Sequence, residues 1–211
     1  MKPGASKRME ERSMKTCALA LCLLIGTPSA GYAAQAPRDD AEAPSGLSHR
    51  ADGVDARRGP VLLRVAALTD EIIRVRIARE GALPEDASWA VLPDMRARHA
   101  AVTPIDNGFA TRALRVTVDP GTLKINVTDP NGKPIVTDAD EPVSFDGRAF
   151  TLRKALHLGE HIYGLGDKTG GTLDRRSKTY VDWNTDAYGF DSSSDPIYKS
   201  IPFFIGSGGQ G

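Results

Sequence analysis

Four stretches of this 211-residue chain alternate apolar and polar side chains at period two. They are Val61-Leu-Leu-Arg-Val65, Ile72-Ile-Arg-Val-Arg-Ile77, Leu114-Arg-Val-Thr-Val118 and Leu123-Lys-Ile-Asn-Val127. A strand sends successive side chains to opposite faces, so this spacing gives each stretch one apolar and one polar face. No window sustains the 3.6 period of an amphipathic helix. Turn signals separate the runs. Asn131-Gly132 is expected to supply the two positive-φ residues of a tight hairpin, and Asp146-Gly147 the tip of another. Short strands punctuated by turns predict an all-β fold, an antiparallel β-sandwich. The expected domain covers residues 59–211. Its last strand, Ile201-Pro-Phe-Phe-Ile205, is followed only by Gly206-Ser-Gly-Gly-Gln-Gly211. A strand that apolar wants a neighbour after it. The expectation is a domain incomplete at its C-terminus, with exposed apolar surface near Ile201–Ile205.

The start of the chain reads differently. Lys15 precedes the apolar run Cys17-Ala-Leu-Ala-Leu-Cys-Leu-Leu-Ile-Gly26, and small residues follow up to Ala33. A basic flank, about ten apolar residues and a small-residue cleavage zone make residues 1–33 a signal peptide. A membrane span would need about 20 apolar residues. Translation from Met14 would give a more compact basic flank than Met1. Leu21 precedes Cys22 where a lipid anchor would want a small residue. Both cysteines lie in the removed segment, so no thiol, disulfide or cysteine metal ligand remains. Export without cysteines suits a bacterial periplasm or the medium. Residues 34–58, rich in Ala, Pro, Asp and Arg, read as a flexible leader. The first 33 residues carry five basic and two acidic side chains, which leaves 22 basic against 25 acidic in the remainder. That balance does not attract nucleic acid.

Three local spellings invite chemistry. His157-x-x-Glu160-His161 copies an inverted zinc motif. It wants a helix, whereas Gly159, Gly164 and Gly166 and the β surroundings predict strand, where His157 and His161 would stand ~13 Å apart. Gly164-Leu-Gly-Asp-Lys-Thr-Gly170 resembles a phosphate loop, but Asp167 occupies the place of the glycine before the lysine, and no helix follows. Asp182, Asn184 and Asp186 match the opening of a calcium loop, yet Ala187 replaces its glycine and Ser193 its final glutamate. No metal and no cofactor is therefore expected. Carboxylates and aromatics do cluster: Asp182, Asp186, Asp191 and Asp195 alternate with Tyr180, Trp183, Tyr188, Phe190 and Tyr198. Aromatic faces stack on sugar rings and carboxylates accept bonds from hydroxyls. A polar loop whose aromatics pack on its own sandwich has the same composition.

Four blocks occur in one order: Ile162-Tyr-Gly-Leu-Gly-Asp-Lys-Thr-Gly170, Leu173-Asp-Arg-Arg176, Tyr180-Val-Asp-Trp-Asn-Thr-Asp-Ala-Tyr-Gly189 and Asp195-Pro-Ile-Tyr-Lys-Ser-Ile-Pro-Phe-Phe-Ile205. This resembles the N-terminal domain of glycoside hydrolase family 31, the α-glucosidase and α-xylosidase family. The match is strong over residues 157–205 and loose over 60–156. The resemblance implies a galactose-mutarotase-like β-sandwich packed on a (β/α)8 barrel. It further implies a retaining hydrolase of α-glucoside or α-xyloside oligosaccharides, with two catalytic aspartates on the barrel. Neither motif for those aspartates occurs here, so no catalytic residue is assigned and the chain alone is expected to be inactive. Asn184-Thr185-Asp186 matches the segment of a loop that reaches over the barrel mouth. Asp186 is therefore the candidate substrate-binding residue, with Trp183 and Tyr188 shaping or lining the pocket. Gly164 and Gly166 are expected to serve a tight turn, with Asp167 and Lys168 holding it. A free-standing carbohydrate-binding sandwich, a non-functional remnant, or a sugar mutarotase using Glu160 with His157 and His161 are the competing readings.

Overall fold

Antiparallel pairing organises the described residues into three sheets. The computed structural model describes residues 45–186 and 188–208; the signal peptide and most of the leader lie outside the described residues. The first sheet is a simple meander, with β1 (Gly46–Arg50), β2 (Gly53–Arg58), β3 (Val61–Ala67) and β4 (Ile73–Ala78) paired in chain order. One helical turn, α1 (Pro93–Arg96), interrupts the connection to the second sheet. That sheet runs β5 (Thr103–Ile105), β6 (Gly108–Ala110), β7 (Arg115–Asp119), β8 (Lys124–Thr128), β9 (Pro134–Asp146) and β10 (Ala149–Ala155), again neighbour to neighbour. The third pairs only β11 (Ile162–Gly166) with β12 (Ser200–Gly206).

The alternation read from the sequence sorts side chains as expected. Val54, Ala56, Leu63, Val65 and Ala67 of the first sheet share one core with Phe109, Val116, Val118, Ile125, Val127 and Val143 of the second. The intervening Asp55, Arg64 and Arg76 form a cross-strand row on the other face of the first sheet. Face-to-face sheets with a shared apolar interior make this a β-sandwich. Phe109 has no exposed surface and is among the largest side chains so enclosed. Leu123 is also enclosed, but its φ of 64° is left-handed. The Asp119 side chain fixes the turn before it by accepting from the Gly121 N–H at 2.8 Å and the Thr122 hydroxyl at 2.9 Å.

Three expectations are corrected. The flexible leader expected over residues 34–58 gives way to structure within it, for Gly46–Arg50 and Gly53–Arg58 form β1 and β2. Val54 and Ala56 are fully buried there and Leu47 packs on the core. Two small apolar residues suffice because β3 lies directly against them, with Val54 opposite Val65 and Ala56 opposite Leu63. The β8–β9 turn uses one positive-φ residue rather than two: Gly132 has φ 86° and Asn131 does not join it. The Asp129 carboxylate instead accepts the N–H groups of Asn131 and Lys133, so a longer side-chain-capped loop replaces the two-residue turn. The last apolar strand does find a neighbour, β11, earlier in the chain. Ile201, Phe203, Phe204 and Ile205 nonetheless remain 40–54% exposed on both faces of β12.

Candidate functional site

The site residues sit on the segment between β11 and β12. Residues 167–199 contain no helix or strand among those described. An irregular stretch that long inside a folded domain is usually functional or disordered; here a dense set of polar ties fixes it. Lys168 is central. Its side chain is fully enclosed, and its ammonium lies 3.0 Å from Asp182 Oδ1 and 3.5 Å from Asp195 Oδ1. It also donates to the Val181 carbonyl at 2.7 Å. Asp195 in turn accepts the Val181 N–H at 2.6 Å. Farther along, the Thr185 N–H donates to the Ile197 carbonyl at 2.9 Å. The Asn184 side-chain oxygen accepts the Ser200 N–H at 2.6 Å. Ile197 is buried beneath, and Phe190 meets Tyr198 edge to face at 5.7 Å. A buried charge is tolerable only when paired and hydrogen-bonded, and Lys168 is both.

β11 explains the glycines. Gly164, Leu165 and Gly166 have φ of 116°, 67° and 77°, where the strand bulges against β12. A Cβ on Gly164 would sit 2.6 Å from the Phe203 carbonyl oxygen, and one on Gly166 would strike that of Lys199. Positive φ and close backbone approach both demand glycine here. The amide of Asp167 donates to the Lys199 carbonyl at 2.8 Å, so it joins the strand pairing instead of cradling an anion. Lys168 does not brace this turn, as the sequence reading had it, but reaches the loop beyond.

The zinc spelling is taken apart in the same way. His157 and Glu160 lie in a turn before β11, not on a strand, with Gly159 at φ 75°. The Glu160 carboxylate accepts the N–H of His157 at 2.9 Å, closing that turn. His161 Nδ1 lies 2.7 Å from Asp174 Oδ2 instead. Hydrogen bonding from His161 and from the Arg176 amide pulls the Asp174 pKa down to about 2. The calcium-loop residues diverge too, since Asp182 faces Lys168 and Asn184 faces Ser200. Among the described residues no group of three or more His, Cys, Asp or Glu side chains could hold a metal.

The candidate substrate residues are exposed. Trp183 and Tyr188 show 67% and 91% of their surfaces, and Asp186 is exposed beside them. Trp183 lines an open groove of about 590 Å³ with Asp182, Asn184, Ser200 and Pro202. Asp186 and Tyr188 lie farther along the loop and do not line that groove. The structure thus places all three on one anchored loop, without closing them around a common cavity. The sequence reading missed the anchor. Lys168 meets carboxylates far along the chain, and no local pattern announces such a contact.

Comparison with known proteins fits this picture. Residues 62–211 match the profile of the glycosyl hydrolase 31 N-terminal galactose mutarotase-like domain. An alpha-glucosidase 2 of Bacillus thermoamyloliquefaciens is 26% identical over 153 residues, which cover 68% of this chain and 19% of that protein. An alpha-glucosidase of Saccharolobus solfataricus is 48% identical over 59 residues, covering 28% of this chain and 8% of that one. The crystallised family-31 dextranase of Flavobacterium johnsoniae, complexed with glucose, superposes with a TM-score of 0.68 at 23% identity, over 78% of this chain and 21% of its own. The chain therefore spans about a fifth or less of the length of these relatives. With the sandwich, the glycine bulge and the profile match in agreement, the chain belongs to glycoside hydrolase family 31, of which it carries the N-terminal galactose mutarotase-like domain.

Proposed function

We propose that this domain presents a substrate-contacting loop to the catalytic barrel of a retaining α-glucosidase-like or α-xylosidase-like hydrolase. The observation that carries the reading is the contrast within one loop. Its base is pinned by an enclosed lysine, two aspartates and the Asn184–Ser200 bond, while Trp183, Asp186 and Tyr188 project into solvent. Rigid support under exposed aromatic and acidic groups is what sugar recognition requires, since little ordering entropy remains to be lost on binding. Asp186 has no hydrogen-bond or ion-pair partner among the described residues, so its carboxylate is available to accept sugar hydroxyls through charge-assisted bonds. The flat faces of Trp183 and Tyr188 suit the apolar faces of pyranose rings.

Hydrolysis itself falls to two barrel carboxyls about 5 Å apart, one the nucleophile and one the acid/base. The substrate class is an α-glucoside or α-xyloside oligosaccharide, met after export to the periplasm or medium. Exposure of β12 on both faces supports a covering protein layer over a free-standing binding module. The complete reading frame, expressed and assayed on α-glucosides and α-xylosides, tests the proposal. Release of the α-anomer supports it; release of the β-anomer, or no hydrolysis of either substrate, overturns it.

A further inference from the structure

The outer face of the first sheet is unlike the rest of this nearly neutral chain. A concavity of about 220 Å³ opens there, lined by six arginines and two aspartates. Arg50, Arg64, Arg74 and Arg76 rise from the strands, and Arg96 and Arg98 come from the segment around α1. Asp52 pairs with Arg50 at 3.3 Å and Asp86 with Arg74 at 2.6 Å. Asp55, on the same sheet face, takes the Arg64 guanidinium through two bonds of 2.7 and 2.8 Å. Three carboxylates thus neutralise three arginines, and three positive charges remain.

Those three are differently placed. Arg76 donates to the Pro84 carbonyl at 2.6 Å and lies 3.8 Å from Asp86. Arg96 donates to the Asp86 carbonyl at 2.9 Å. Arg98 is exposed and has no partner among the described residues. An ordinary solvated sheet face would match cations with anions. Here Arg64 and Arg76 stand directly opposite each other in register; Asp55 answers Arg64 through two bonds, whereas the nearest carboxylate to Arg76, Asp86 at 3.8 Å, is already paired with Arg74.

We propose that this concavity is a binding site for a doubly charged oxyanion, a phosphate or sulfate group either free or borne on a sugar. Guanidinium forks match such groups in a planar, two-point fashion that lysines do not. The volume is below the roughly 300 Å³ at which sites for larger ligands begin, and suits one oxyanion with at most a single sugar ring. The site lies on the first sheet, apart from the β11–β12 loop, so it is independent of the hydrolase reading.

Calorimetric titration of the 211-residue chain at low salt, with inorganic phosphate, glucose 6-phosphate and glucose, tests it. The expected result is saturable binding of one or both phosphates, none of glucose, and weakening as sodium chloride is raised. Phosphate binding as tightly as its ester identifies the free anion; ester binding alone identifies a sugar-borne group. Arg98→Ala and Arg76→Ala should each weaken binding about tenfold, with Arg98→Ala keeping the parent circular dichroism spectrum because that side chain is exposed. No saturable binding by folded protein up to about 10 mM ligand, or binding that both variants leave unchanged, overturns the proposal.

Discussion

Lys168 Nζ lies 3.0 Å from Asp182 Oδ1 with its side chain fully enclosed, so the start of a long irregular stretch is tied to its middle. The same ammonium reaches Asp195. This one cation therefore joins the strand bulge at Gly164–Gly166 to both limbs of the loop that carries Trp183 and Asp186.

Replacing it should release the loop. Lys168→Met removes the shared cation and leaves Asp182 and Asp195 facing each other. Both carboxylates keep some solvent access, 35% and 20%, so the expected cost is about 2–3 kcal/mol, at or below the range for a fully buried pair. Urea denaturation measures that loss. Hydrogen exchange should accelerate at the amides of Val181 and Thr185 while the sandwich core stays protected. Unchanged exchange at those amides would show that the tie is not what orders the loop.

The glycine bulge is a second point of failure. Gly164→Ala places a Cβ against the Phe203 carbonyl at a left-handed φ. A loss of at least about 2 kcal/mol is expected, since neither the clash nor the backbone strain can relax cheaply. The effect should centre on β11 and β12. Gly132→Ala, also at positive φ but with open space around its Cβ, provides the comparison and should cost less.

Inside the second sheet, Asp138 is 3% exposed and accepts the Ile125 N–H at 2.9 Å while pairing with Lys154. Asp138→Ala orphans that amide and its lysine. The predicted loss is about 2–3 kcal/mol by chemical denaturation. A loss below about 0.5 kcal/mol would mean that water replaces the carboxylate without penalty.

Strong acid should loosen the contact between Asp174 and the start of β11. Asp174 is held at about 2, below its ordinary value, by His161 and two backbone amides. A carboxylate whose folded pKa is depressed contributes stability that is fully present above its unfolded value near 4 and lost as pH falls toward 2. The 157–176 region should loosen over that window, seen as chemical-shift changes at Ile162 and Arg176. Asp174→Asn should flatten the response between pH 4 and 2.

How much of this was legible follows from the range of the interactions. The strands at Val61–Ala67, Ile73–Ala78, Arg115–Asp119 and Lys124–Thr128 announce themselves, because alternation is a local pattern that burial on one face enforces. β1 and β2 escaped because Val54 and Ala56 are too small to stand out among charged neighbours, and only the facing β3 makes them core. Gly108–Ala110 is too short for any periodicity, yet it carries Phe109. The loop was placed by its ordered blocks of residues, but its anchoring by Lys168 depends on contacts between distant positions. The arginine concavity was hidden for the same reason, since its cations come from three strands and a helical turn.

Asp186 is the residue proposed to meet substrate from this anchored loop. The most direct test is kcat/KM of the complete hydrolase and its Asp186→Ala variant on an α-glucoside and an α-xyloside. Loss of a charged hydrogen bond to a sugar hydroxyl predicts a fall of about 10- to 100-fold on the preferred substrate, with the thermal midpoint unchanged because Asp186 is exposed. Kinetics identical to the parent on both substrates would mean that Asp186 does not contact the sugar.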